Sequence, residues 1–91
     1  MVTGIILINV ERSKTNLVAE TLAGVKGITE VFSVGGRFDL VALCRVNTNE
    51  QLADLVNVSM ANDERITKTE TLIAFQAFSK HDLDAMFSIG S

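Results

Sequence analysis

The 91-residue sequence has no proline, tryptophan or tyrosine, and it contains one cysteine, Cys44, and one histidine, His81. A single cysteine excludes an internal disulfide bond. One histidine and one distant cysteine are also too few for a typical metal site, which gathers several such ligands. We therefore predict neither a metal nor a cofactor. We interpret His81 as a solvated or capping residue and Cys44 as a small core residue.

Positive charge is scarce as well, and the eight lysines and arginines are scattered along a chain of net charge −3. Nucleic-acid-binding proteins present a basic surface to the phosphates, so direct DNA or RNA binding is not expected. No segment reaches the roughly 18 apolar residues of a membrane span. The short apolar N-terminus lacks the basic flank and cleavage site of a signal peptide. These absences predict a cytoplasmic protein that does not bind membranes.

Apolar residues, in contrast, are abundant and make up 47% of the sequence. A chain of this length forms one domain, residues 1–91, and it buries a smaller share of its surface than a larger domain does. Without a disulfide or a metal, small domains usually gain further buried surface by oligomerising. The composition therefore predicts a single domain that self-associates.

Hydrophobic periodicity divides the chain into alternating strands and helices. We predict strands over 4–10, 28–34, 37–46 and 66–78, helices over 14–24 and 49–62, and a short helix after Asp82. The order strand–helix–strand–strand–helix–strand predicts an α+β, ferredoxin-like βαββαβ sandwich. Its four-stranded antiparallel sheet would carry both helices on one face.

Three local signals fix the expected boundaries of these elements. Ser13 is predicted to cap the first helix, because its hydroxyl can accept a hydrogen bond from a free amide. Thr48 and Gln51 have the spacing of a capping box at the start of the second helix. Gly35-Gly36 has the composition of a two-residue primed turn between the second and third strands.

The first, third and fourth predicted strands are apolar on both faces, as in Ile5 to Ile8 and Leu40 to Leu43. An antiparallel sheet with one solvated face should instead alternate apolar and polar residues. An open apolar sheet face is an association site. We therefore predict a homodimer paired through the sheets, a dimeric α/β barrel, with the segment Leu83–Phe87 as an additional clamp.

Three features suggest a small-molecule site, and each also has a plain structural explanation. Asp39 lies among apolar residues and needs a donor, either a ligand ammonium or the hairpin backbone that it would cap. Gly35 and Gly36 leave backbone amides bare for a ligand carboxylate, or simply form the turn. Thr67, Thr69 and Thr71 would place three hydroxyls on one strand face, or simply be good strand formers.

Two of these stretches resemble a known family. Val34 to Val41, V-G-G-R-F-D-L-V, resembles the V-x-G-x-(Y/F)-D-(L/Y) hairpin of the Lrp/AsnC transcriptional regulators, and Thr67 to Ile73 is similar to their T-x-T-x-(T/V) strand. The similarity covers nearly the whole chain, but only the family's C-terminal effector (RAM) domain. The N-terminal helix-turn-helix is missing, which implies a stand-alone form. Lys26 replaces a common proline, and Arg65-Ile66 replaces a common Gly-Val step.

The resemblance implies a ring of four or five dimers, an octamer or decamer, that binds an amino acid between dimers. If the family's ligand contacts are carried over to this sequence, Gly35 and Gly36 would offer backbone groups to the ligand, and Asp39 would meet its ammonium. Thr67 and Thr69 would contact the polar atoms of the ligand, and Phe38 would pack nearby. The ring could modulate transcription by co-assembling with full-length Lrp/AsnC regulators.

Two other functions stay open from the sequence. Dimeric ferredoxin-like barrels also include cofactor-poor monooxygenases and haem-handling proteins, whose clefts hold histidine, tyrosine, tryptophan or arginine. This sequence supplies few such residues, so we expect a protein that is not an enzyme. A purely structural ring that bridges other proteins is the other alternative.

Overall fold

A computed structural model describes residues 1–80. The strands are β1 (Val2–Val10), β2 (Ile28–Ser33), β3 (Leu40–Val46) and β4 (Ile66–Ala74), and the helices are α1 (Thr15–Ala23) and α2 (Asn49–Asp54). Helix α2 continues directly into a π-helical segment, Leu55–Met60. The four strands form one antiparallel sheet in the order β2-β3-β1-β4. The predicted ferredoxin-like βαββαβ fold is confirmed, and within one chain the sheet does not close into a barrel.

The core lies between one face of the sheet and the two helices. Ile6 and Ile8 of β1 are fully buried there, as are Val18 and Leu22 of α1 and Met60 of the π-helical segment. Burying an aliphatic side chain of this size stabilises a fold by about 1.5–3 kcal/mol. Both helices therefore pack on one face, as predicted, and the other sheet face carries no element among residues 1–80.

The start of α1 differs from the prediction. Ser13 has a φ of 71°, in the left-handed region, and the N-cap position falls to Lys14, which makes no side-chain capping bond. A residue that caps a helix with its side chain is normally extended. Ser13 instead completes a tight turn after β1, which the Lys14 amide closes by donating to the Glu11 carbonyl at 3.1 Å. The prediction that Ser13 caps α1 is wrong.

The start of α2 follows the prediction. Thr48 is extended, and its Oγ1 accepts a hydrogen bond from the Gln51 amide at 3.1 Å. The Gln51 side chain reaches back in turn, although its Oε1 accepts from the Asn47 amide at 2.8 Å rather than from the amide of the cap residue. These bonds satisfy two amides at the helix start and fix where the chain leaves β3.

The β2–β3 connection is longer than the predicted two-residue turn. The two strands end and begin at Ser33 and Leu40, so the loop spans residues 34–39. The Val34 amide donates to the Asp39 carbonyl at 3.0 Å across its base. A type I′ turn needs positive φ at both glycines, and a type II′ turn needs it at the first. Only Gly36 has it, at 112°, so the primed-turn prediction is wrong.

The last predicted elements are only partly covered by the structure. Strand β4 ends at Ala74 rather than at residue 78. The helix predicted after Asp82, the clamp Leu83–Phe87 and His81 lie outside the described residues. No helix within residues 1–80 is long and apolar enough to cross a membrane.

Candidate functional site

The predicted site residues gather at one end of the sheet, which we call the hairpin end. Strands β1 and β2 finish there, and β3 and β4 begin there, so loop 34–39 lies near the start of β4. Strand β1 separates the two, because Ile8 pairs with Leu40 on one side and with Thr69 on the other. Two strand spacings place β3 and β4 about 10 Å apart. The topology thus brings the candidates to one end of the molecule.

Asp39 is half-buried at this end and is held by β1. Its Oδ2 accepts a hydrogen bond from the Val10 amide at 2.9 Å and lies 3.4 Å from Asn9 Nδ2. Its own amide donates to the Ile8 carbonyl at 2.9 Å. The other carboxylate oxygen, Oδ1, accepts no hydrogen bond from any residue that the structure describes. Asp39 therefore caps the hairpin with one oxygen and leaves the other available.

Asn9 is a site residue that the sequence reasoning missed. Its Nδ2 donates to the Arg37 carbonyl at 2.8 Å as well as approaching Asp39, so it holds the second half of loop 34–39 against β1. The available signal was a polar amide at the end of the apolar stretch from Ile5 to Ile8. An amide there needs partners, just as a carboxylate does.

The two glycines of the loop are fully open. A Cβ placed on either Gly35 or Gly36 would meet no atom within 4 Å. Their backbone groups can therefore be approached closely, as a ligand carboxylate would require. Phe38, the next candidate, is half-buried and lies outside the cluster of buried core residues.

The predicted row of three threonines is interrupted by a bulge. Val10 pairs with Ile66, whereas Asn9 pairs with Lys68, so one extra residue, Thr67, is inserted into β4. Such a bulge breaks the simple alternation of side chains. Thr67 is exposed within this irregularity, and Thr69 is half-buried beyond it.

The pairing register also assigns the candidates to different faces of the sheet. Thr69 lies opposite Ile8, whose side chain is buried beneath the helices, and directly opposed residues share a face. Asp39 instead contacts Asn9, which is next along β1 and therefore points to the opposite, open face. Within one chain, Asp39 and Thr69 do not line a common pocket.

The remaining reactive groups have structural roles. Burial raises the pKa of the Cys44 thiol, which donates weakly to the Gly4 carbonyl at 3.5 Å. Asp63 accepts from Arg65 Nη2 at 2.8 Å, and this side-chain bonding lowers the pKa of the Asp63 carboxyl. Arg65 Nη2 also donates to Thr21 of α1 at 3.3 Å. No cluster of potential metal ligands occurs within residues 1–80.

Cavities occur elsewhere on the molecule. One of about 760 Å³ lies at the other end of the sheet, between the end of β3, the α1–β2 loop and the helix formed by α2 and the π-helical segment. A smaller groove of about 240 Å³ runs between α2 and β4 and includes Thr71 and Ile73. None of the six predicted site residues lines either one.

Comparisons with known proteins identify the domain. The Lrp/AsnC ligand binding domain matches residues 3–83. The crystal structure of TTHA0845 from Thermus thermophilus is 36% identical, with a TM-score of 0.82, and the alignment covers 88% of this chain and 100% of that protein. No curated protein matches the sequence.

Two longer solved proteins share the fold. AsnC from E. coli is 22% identical with a TM-score of 0.75, and the alignment covers 84% of this chain and 52% of that protein. The transcriptional regulator NMB0573 from Neisseria meningitidis, solved with L-Met, is 8% identical with a TM-score of 0.78, covering 86% of this chain and 52% of that protein. The match over residues 3–83, in a chain with this βαββαβ topology, shows that the protein belongs to the Lrp/AsnC family and carries its ligand-binding domain.

Proposed function

We propose that this domain binds an amino acid effector and thereby regulates transcription, by co-assembling with full-length Lrp/AsnC regulators. The family match over residues 3–83 carries this proposal. The regulator NMB0573 was solved with L-Met, which supports an amino acid as the ligand class here. The available oxygen of Asp39 and the bare backbone of Gly35 and Gly36 suit the ammonium and carboxylate of such a ligand.

The open sheet face supports self-association. Two rows of paired residues cross this face, and each row has one residue from each of β2, β3, β1 and β4 in that order. The rows are Glu30–Leu43–Ile5–Leu72 and Phe32–Val41–Leu7–Glu70. Among these, Phe32 is 44% exposed and Leu72 is 46% exposed. An apolar centre with charged residues at its margin is the usual anatomy of a protein interface. We propose that two chains bury this face against each other as a homodimer.

Ring assembly would complete the ligand site. Asp39 and Thr69 lie on opposite faces of the sheet in one chain, so a pocket that uses both must draw them from different subunits. A site between dimers meets this requirement. We therefore propose that the ligand binds between dimers of a ring, contacting Asp39 and the loop glycines of one subunit and Thr67 or Thr69 of another. The size of the ring, an octamer or a decamer, stays a prediction, as does a cytoplasmic location.

An enzyme is the weaker alternative. The thiol of Cys44 is buried and its pKa is raised, so it is not a ready nucleophile. Asp39, the carboxylate at the hairpin end, accepts from a backbone amide rather than pairing with a second acid. No specific contact among residues 1–80 favours a monooxygenase, and binding without catalysis explains the hairpin end more simply.

Calorimetry with the twenty amino acids tests the proposed ligand class, using protein whose assembled mass has been verified by light scattering. We expect one amino acid, or a few related ones, to bind. Asp39→Asn keeps an oxygen for the Val10 amide but removes the charge that would meet an ammonium, so affinity should fall about tenfold or more. Glu20→Gln removes one exposed charge on α1 and should not alter binding.

Two results would contradict the proposal. If none of the amino acids binds the assembled protein, the effector assignment is wrong. If Asp39→Asn binds as tightly as the wild type while the fold is intact, the role of Asp39 is wrong, and the ligand must be held elsewhere.

A further inference from the structure

The cavity of about 760 Å³ at the far end of the sheet is remote from the hairpin end. Strand β3 runs from Leu40, next to Asp39, to Val46 in the cavity wall. At about 3.3 Å per residue, that distance is roughly 20 Å. A single amino acid bound at the hairpin end does not reach this far. The cavity therefore needs an explanation of its own, and its size lies within the usual range of small-molecule pockets.

Charged side chains of both signs line this cavity without pairing. Lys26 comes from the α1–β2 loop and Asp54 from the end of α2. Arg45, at the end of β3, follows the buried Cys44, so its side chain points to the open sheet face and only its backbone is assigned to the cavity. Neither Lys26 nor Asp54 forms a salt bridge with any residue that the structure describes. One cation and one anion beside the cavity complement a ligand that carries both a carboxylate and an ammonium.

The base of the cavity is apolar. Leu55 is only 6% exposed, Val46 is half-buried, and Val58 presents a side chain that is 59% exposed. Gly27, which has a φ of 98°, brings the loop onto this base so closely that an added Cβ would lie 3.1 Å from Leu55 and 3.3 Å from Val46. An aliphatic side chain placed here would cover exposed apolar surface.

The helix wall has an unusual backbone, which is an independent sign of function. The π-helical segment Leu55–Met60 supplies Leu55, Val58 and Ser59 to the cavity, and the Ala61 amide donates to the Val56 carbonyl at 3.0 Å, five residues back. π-helical turns are rare and occur frequently at functional sites. Here the segment coincides with the cavity wall.

We infer that this cavity is a second amino acid site, which takes an amino acid with an aliphatic side chain. Lys26 binds its carboxylate, Asp54 binds its ammonium, and Leu55 and Val58 contact its side chain. The site uses one subunit only, because every residue named comes from the same chain. It does not depend on a ligand at the hairpin end.

NMR of the uniformly ¹⁵N-labelled full chain tests this inference residue by residue. The probes are L-leucine, L-isoleucine, L-valine and L-methionine. The amides of Gly27 and Ser59 report on the cavity, and those of Gly36 and Asp39 report on the hairpin end. We expect saturable shifts at Gly27 and Ser59 with at least one probe. No shift there with any probe up to about 10 mM would overturn the inference.

Matched variants test the assigned contacts. Lys26→Gln and Asp54→Asn each remove one charge from an exposed cavity wall, and each should weaken the response of Gly27 and Ser59 about tenfold. Lys14→Gln and Glu20→Gln make the same charge changes on and beside α1, and they should have no effect. If Lys26→Gln and Asp54→Asn bind like the wild type, the charged contacts are wrong.

Ligand analogues separate a zwitterion site from a simple anion site. 4-Methylpentanoate lacks the ammonium of leucine, and 3-methylbutylamine lacks its carboxylate. Each should bind at least tenfold more weakly than leucine, since each loses one charged contact. Binding of 4-methylpentanoate as tight as that of leucine would overturn the assignment.

The NMR shifts also distinguish this site from the hairpin end. Shifts at Gly36 and Asp39 alone would overturn the cavity site and leave the proposed function intact. Shifts at Gly27 and Ser59 alone would support the cavity site and count against a ligand at the hairpin end.

Discussion

The Val10 amide donates a 2.9 Å hydrogen bond to the carboxylate of Asp39, which joins the last residue of β1 to the residue before β3. The neighbouring Asp39 amide donates back to the Ile8 carbonyl at the same distance, 2.9 Å. One aspartate therefore ends the β1–β3 ladder with its side chain as well as its backbone. The same carboxylate is the proposed partner of the ligand ammonium.

Stability and binding at Asp39 should be separable by mutation. Asp39→Ala removes the acceptor of the Val10 amide and should reduce the free energy of unfolding by about 1–2 kcal/mol. Asp39→Asn keeps an oxygen acceptor there and should cost less than half as much, measured by urea denaturation. If the two variants are equally destabilised, the Val10 bond contributes little and the negative charge itself matters.

Gly4 should tolerate no side chain. A Cβ there would lie 2.7 Å from Cys44 Sγ and 2.8 Å from Leu52 Cδ1, which are buried between the sheet and α2. Overpacking of this kind typically costs about 1–3 kcal/mol, so Gly4→Ala should lower the denaturation midpoint clearly. Gly35→Ala adds the same methyl group to open space and should change the midpoint little. Equal stability of the two variants would contradict the packing described for β1.

A charge on the open sheet face should prevent dimerisation. Ile5 lies between Leu43 and Leu72 in the pairing register, so Leu72→Glu places a carboxylate beside the apolar centre of the proposed interface. We expect a monomer by sedimentation at concentrations where the wild type is assembled, because burying an unpaired charge is costly. Leu17→Glu alters a similarly exposed leucine on α1 and should leave the mass unchanged. An assembled Leu72→Glu variant would place the interface elsewhere.

The Asp63–Arg65 pair should make stability depend on pH. Hydrogen bonding from Arg65 lowers the pKa of Asp63 below its ordinary value of 3.8. The stabilisation is therefore complete well above pH 3.8 and is lost as the pH falls through the lower, folded-state pKa. Asp63→Asn should lower Tm at pH 7, and its difference from the wild type should shrink below pH 3.8. Glu64→Gln, at a neighbouring exposed position, should show no such pattern.

Sequence patterns predicted what depends on neighbouring residues. The order of strands and helices follows from local hydrophobic periodicity, and the capping bond from Thr48 to Gln51 follows from a spacing of three residues. The family, too, was identifiable from two short stretches, around Asp39 and around Thr69. Each of these signals lies within one segment of the chain, so no knowledge of packing was needed.

Predictions that depended on contacts between segments were less successful. The bulge at Thr67 arises where β4 pairs with β1, more than 50 residues away in sequence, and it interrupts the expected row of threonines. The residue type of Ser13 favours a helix cap, but the exit from β1 holds it at a φ of 71°. The role of Asn9 in holding the loop depends on the contact between loop 34–39 and β1, which the sequence does not show.

The sequence by itself determined the two-layer fold, because alternating apolar positions dictate which faces must be buried. Only the tertiary structure decided that Asp39 and Thr69 point to opposite faces of the sheet, since that depends on the register between β1, β3 and β4. It alone also brought Lys26 and Asp54, from two separate segments, to one cavity. Periodicity fixes the faces of a strand, whereas long-range pairing fixes which residues meet across it.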